Sequence, residues 1–105
     1  MKIPNFDRAV IDSRKLEGYC LNASHPRGKH KARIFAKHGI TESDYLRRLL
    51  LDAIVSAEVR SMVTSLHGVL YVLEFPWRAV SIKSIWMVRK NEDFPRLVSC
   101  YIPSS

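Results

Sequence analysis

The chain has 105 residues, enough for one domain with a single core and too few for a cofactor domain beside a substrate domain. Its apolar content of 47% and charged content of 26%, without any low-complexity tract, exclude a disordered chain, and no apolar run reaches the length needed to cross a bilayer. The formal net charge of +7 points to an anionic partner: nucleic acid, or an acidic protein.

The N-terminus, Met1 to Arg8, lacks the long apolar region of a secretory signal. The expectation is therefore a stand-alone cytoplasmic domain over 1-105, although a module of a larger exported protein would read the same way. Asp12 or Ser13 caps a short helix with Leu16, Tyr19 and Cys20 on one face, ending near Leu21 and Asn22. Cys20 and Cys100 read as small core residues in preference to a disulfide, and their spacing makes no metal or redox motif. After a turn over Ser24 to Gly28, a second helix runs from Lys29 to His38 with Ala32, Phe35 and Ala36 as its apolar stripe and Gly39 as terminator. Thr41 caps a third helix, with Asp44 in the reciprocal capping position and Leu46, Leu49, Leu50, Ala53, Ile54 and Ala57 along one face. Arg47 and Arg48 point away from that stripe, into solvent.

Beyond Arg60 the helical period fades, and Gly68 marks the change to strands. Val69 to Phe75 alternates and stops at Pro76; Val80 to Arg89 is a long strand; Arg96 to Ile102 returns antiparallel to it after a polar loop. Helices over 12-60 followed by strands over 69-102 define an α+β domain, its N-terminal helices packed on one face of a C-terminal antiparallel sheet of three to four strands. Alternation puts Leu97, Ser99 and Tyr101 on one side of the last strand and Arg96, Val98, Cys100 and Ile102 on the other.

The charge is concentrated. Arg27, Lys29, Lys31, Arg33 and Lys37 lie with His25, His30 and His38 in one stretch, and no acidic residue intervenes between Glu17 and Glu42. Lys29, Arg33 and Lys37 form one ridge of the second helix, while Lys31 sits beside Phe35 at the edge of the buried stripe. The plain alternative is a solvated helix face.

Two segments, Leu21 to Phe35 (LNASHPRGKHKARIF) and Ile85 to Tyr101 (IWMVRKNEDFPRLVSCY), resemble the bacterial domain of unknown function 6883, in the right order and across nearly the whole chain. The resemblance implies a toxin module with the layout shared by barnase, colicin-type RNases and RelE-like mRNA interferases. It also implies RNA as substrate and a small acidic antitoxin or immunity protein as partner. The connection Pro76 to Ala79 departs from that pattern, being short for the Gly-containing loop expected between the strands.

Metal-free RNA cleavage needs a base for the 2′-hydroxyl, an acid for the 5′-oxygen and cations for the charged phosphorane. His25 is the first candidate, held extended before Pro26 and next to a basic helix N-terminus; the alternative is a turn residue bonded to backbone. Lys31 is the second, against a lysine that merely reaches water. Arg27, Lys29, Arg33 and Lys37 are candidate phosphate contacts. In the sheet, Arg96 offers a planar fork for phosphate or a pair with Glu92 or Asp93, Ser99 a hydroxyl, and Tyr101 a ring to stack a base or place the nucleophile. Trp86 is assigned to the core, Glu74 is a reserve base, and His30, His38 and His67 read as surface residues. No ligand spacing suggests a metal, and no cofactor is expected.

Overall fold

The computed structural model describes residues 1–103. Asp12 caps the first helix, its carboxylate accepting the Arg14 N–H at 2.9 Å. That helix, α1 (Ser13–Lys15), widens at once into a π turn over Leu16–Cys20 that buries Leu16 and Cys20. The second helix, α2, spans Lys29–Lys37 with Ala32 and Phe35 buried, and ends before Gly39, whose φ of 88° only glycine adopts freely.

The third helix, α3, spans Ser43–Ser56 and buries Leu46, Leu50, Ala53 and Ile54. It starts later than Thr41 predicts. Glu42 takes the extended cap position without a side-chain bond, and the Ser43 hydroxyl donates instead to Glu17 Oε1 at 2.8 Å, so no Thr41–Asp44 capping box forms. Arg47 is not free in solvent either. Its guanidinium donates to the Ile11 carbonyl at 2.8 Å and to the Ser13 hydroxyl at 3.1 Å, tying α3 to the N-terminal segment.

The sheet has four antiparallel strands in the order β1-β2-β3-β4: β1 (Val59–Ser65), β2 (Gly68–Trp77), β3 (Val80–Arg89) and β4 (Pro95–Tyr101). Strand β1 replaces the helix end and loop expected around Arg60. It escapes sequence reading because Arg60 to Thr64 are all exposed, so no alternation marks it. Pro76 lies inside β2 rather than ending it. Strand β1 pairs β2 only as far as Leu73, so at Pro76 one side of β2 is a free edge, where a missing N–H costs nothing.

Alternation in β4 is broken. Trp86 pairs with Leu97 but Ile85 with Ser99, which leaves Val98 as the extra residue of a bulge. Leu97 and Cys100 therefore share one face, that of their cross-strand partners Trp86 and Ser84, in place of the two faces that strict alternation assigns. On that face Leu73, Ile82, Trp86, Leu97 and Cys100 meet Leu16, Phe35, Leu46, Leu50 and Ile54 from the helices to form the core. Trp86 is fully buried there, its indole N–H donating to the Ser84 hydroxyl at 3.0 Å. Cys20 and Cys100 are free thiols in the same core.

Candidate functional site

Where the π turn meets β4, a cavity of about 660 Å³ opens, lined by Asp12, Arg14, Lys15, Gly18, Tyr19, His25, Arg27, Arg89, Val98 and Ser99. Two local features build it. The bulge at Val98 turns β4 so that Val98 and Ser99 both reach the wall. Gly28, the first residue before α2, lets the backbone approach the π turn so closely that a Cβ there would sit 2.2 Å from the Tyr19 carbonyl oxygen.

Lys31 stands behind this wall. Its ammonium donates to Tyr19 Oη at 2.7 Å and to Ser99 Oγ at 3.2 Å, and lies 4.6 Å from the Tyr19 ring centre and 5.5 Å from that of Tyr101. Among the described residues it has no carboxylate within ion-pair distance. A half-buried ammonium held only by hydroxyls and aromatic faces leaves its charge uncompensated, and an anion entering the cavity meets that charge through Tyr19 and Ser99. Because Tyr19 Oη accepts from Lys31, the phenol keeps its own O–H to donate.

His25 packs edge-on against Tyr19, ring centres 4.9 Å apart. Its Nδ1 accepts the backbone N–H groups of Arg27 and Gly28, both at 3.0 Å, capping the turn into α2. An imidazole nitrogen that accepts carries no proton, so the neutral ring holds its proton on Nε2 and meets a ligand as a donor. The turn bond weighed from sequence and a place in the cavity wall thus coexist in one residue.

Beneath the wall, Cys20 Sγ accepts the Cys100 N–H at 3.4 Å and lies 4.0 Å from Ser99 Oγ. Hydrogen bonding from the Cys100 thiol, then from the Cys100 N–H and the Ser99 hydroxyl, with the Lys31 charge behind them, holds the Cys20 thiol below its ordinary value against the opposing effect of burial. Cys100 moves the other way, pushed up by its bond to Cys20 and by burial. Asp12, the one carboxylate in the wall, is engaged by the Arg14 guanidinium at 2.7 Å, which together with the Arg14 N–H brings it down to about 2.

Of the residues singled out from sequence, His25, Arg27 and Ser99 line the cavity, Lys31 bonds two of its wall hydroxyls, and Tyr101 places its ring against the Lys31 and Lys83 ammonium groups. Lys29, Arg33 and Lys37 lie outside the cavity on α2. Arg96 makes the fork-on-carboxylate pair with Glu92, two bonds of 2.8 Å, and does not line it. His38 is half-buried rather than a surface residue, its Nε2 enclosed and without a partner among the described residues. Tyr19, Lys15 and Arg14 were not legible as site residues. Tyr19 reads as one more apolar position of a short helix, and only the Gly28 contact and the Lys31 bond reveal its place.

No group of three or more metal-ligating side chains occurs among the described residues, and no helix among them is long and apolar enough to cross a membrane. Helices followed by an antiparallel sheet, with a cationic cavity at one sheet edge, define a small α+β domain whose polar chemistry is gathered where α1, α2 and β4 meet. The chain belongs to the family described as Domain of unknown function (DUF6883), which it matches over residues 2–104. No curated protein and no solved structure matches it.

Proposed function

We propose that this protein is a metal-independent endoribonuclease of the toxin type, acting in the cavity between the π turn and β4. The observation that carries the reading is the Lys31 ammonium, unpaired with any carboxylate among the described residues and bonded to the Tyr19 and Ser99 hydroxyls of the cavity wall. Arg27, Arg89 and Lys15 hold an RNA phosphate there, and the His25 Nε2–H donates to one of its oxygens. The neighbouring 2′-hydroxyl attacks phosphorus and releases its proton to water. The bond to the 5′-oxygen breaks as Tyr19 gives that oxygen its phenolic proton, leaving a 2′,3′-cyclic phosphate and a phenolate beside Lys31. Charge on the phosphorane is balanced by Lys31 and the wall cations, the term expected to matter most. Lys29, Arg33 and Lys37 extend the phosphate track along α2, and Tyr101 stacks a base. An acidic antitoxin or immunity protein would block the same cavity by supplying carboxylates to these cations.

A second reading, RNA binding without cleavage, is favoured by one feature: the wall holds many donors, while its single carboxylate, Asp12, is already engaged by Arg14. Incubation with total RNA in EDTA, followed on a denaturing gel, separates the two. The ribonuclease reading expects cleavage by the wild type and a loss of about a hundredfold or more in Tyr19→Phe and Lys31→Ala, with salt-dependent RNA binding kept by Tyr19→Phe. Binding without cleavage by the wild type assigns the second reading; neither binding nor cleavage overturns both.

A further inference from the structure

We propose that β1 is a self-association edge, through which two copies of this chain pair antiparallel, β1 against β1, about a two-fold axis at Val63. Strand β1 is an outer strand of the sheet, and among the described residues its one backbone bond beyond the ladder with β2 is from the Val59 N–H to the Met1 carbonyl at 2.9 Å. From Arg60 to Thr64 both faces are open to solvent, and the apolar side chains are large: Met62 is 49% exposed, Val63 58% and Leu66, in the turn that follows, 81%. An edge of this kind is ordinarily blunted by charges, proline or a covering segment. Within Ser61–Ser65 there is no charge and no proline, and none of the described residues covers it; the one irregularity, at Arg60, falls before this stretch.

Charge selects the occupant. The strand's one charged residue is Arg60, so an acidic partner strand would gain a single ion pair while covering uncharged Ser61 to Ser65. Pairing centred on Val63 sets Met62 opposite Thr64 and Ser61 opposite Ser65 of the second copy. The two Arg60 side chains then stand six residues apart, about 20 Å, well beyond the screening length. The cationic cavities lie at β4, the other edge of each sheet, and in the eight-stranded sheet formed they are separated by seven strand spacings, about 34 Å. Two strongly basic molecules therefore meet through their least charged edge, by an isologous contact that closes on itself.

Sedimentation velocity of the full chain from micromolar to millimolar concentration tests this. The wild type is expected to dimerise, and Val63→Lys to raise the dissociation constant about tenfold or more, because the two-fold sets the new charges directly opposite each other. Val63→Glu should do the same. An equimolar mixture of the two variants should regain the dimer as a heterodimer, which a merely destabilised fold would not do. If neither variant folds, hydrogen exchange on the wild type decides, with amide protection over Ser61 to Thr64 expected to rise with concentration. A chain that stays monomeric at millimolar concentration overturns the proposal and leaves the edge to a strand of another protein. A dimer indifferent to both variants, or without concentration-dependent protection in β1, overturns it as well.

Discussion

The two edges of the sheet are finished in opposite ways. At β4 the outer backbone is occupied: the Val10 N–H donates to the Pro95 carbonyl at 2.9 Å, the Leu97 N–H donates to the Val10 carbonyl at 3.0 Å, and the Cys20 thiol takes the Cys100 N–H. At β1, among the described residues, only the Val59 N–H is met, by Met1. The stretch from Val10 to Cys20 that closes the β4 edge also supplies Asp12, Arg14, Lys15, Gly18 and Tyr19 to the cavity. Edge protection and site construction are therefore one structure, and what weakens one weakens the other. The β1–β2 hairpin tip carries no such coupling, which leaves its exposed residues free to serve contact with another chain.

The sharpest way to break this contrast is to make one truncation at both edges. Leu97, 3% exposed, packs beneath the closed edge, whereas Val63 stands in the open one. Leu97→Ala is expected to cost about 2–5 kcal/mol, the range for cavity formation in a core. Val63→Ala should stay within about 0.5 kcal/mol, as for a surface change, when measured on dilute monomer. Urea unfolding at unchanged slope reads both; equal losses would mean that β1 is as integral to the fold as β4.

A smaller effect is expected where the closed edge meets the site. In Gly28→Ala the new methyl would lie 2.2 Å from the Tyr19 carbonyl oxygen and 3.1 Å from its Cδ1, so the π turn must move away from α2. Overpacking of this kind costs about 1–3 kcal/mol and carries Tyr19 Oη off the Lys31 ammonium. Thermal unfolding and RNA cleavage should therefore decline together. A variant with unaltered stability and activity would show that the Gly28 contact does not set the cavity.

What sequence reading captured and what it missed divide along the same line. Burial leaves a local period, so Ala32 and Phe35 in α2, Leu46 to Ile54 in α3 and Trp86 in β3 were all legible, as was the α+β order they impose. From Arg60 to Thr64 strand β1 buries nothing on either face and so carries no period. The Val98 bulge is a matter of register between strands, which no single strand records. His25, Lys31 and Ser99 could be singled out by residue type and position, but the bonds from Lys31 to Tyr19 and Ser99 span 12 and 68 residues. The pairing of Arg96 with Glu92, four residues apart, was near enough in sequence to be weighed as an alternative.

That pairing yields the smallest expected effect, a pH dependence confined to the closed edge. The Arg96 guanidinium bonds Glu92 through both oxygens and, with the lesser added charge of Arg89, holds its carboxyl below the ordinary value of 4.5, against the opposing effect of burial. Because the folded value is lowered, the stability contributed is complete above the unfolded carboxyl's range and is lost as pH falls through the folded value. Protonation removes the negative charge and one of the two acceptor oxygens from Arg96, which precedes Leu97 at the point where Val10 joins β4. Glu92→Gln should therefore lower stability slightly at neutral pH and flatten part of its decline in acid, measured as urea midpoints from pH 7 to pH 3. An acid limb parallel to that of the wild type would show that the pair contributes nothing to closing this edge. Its neutral-pH effect would then be indistinguishable from that of an ordinary solvent-screened ion pair.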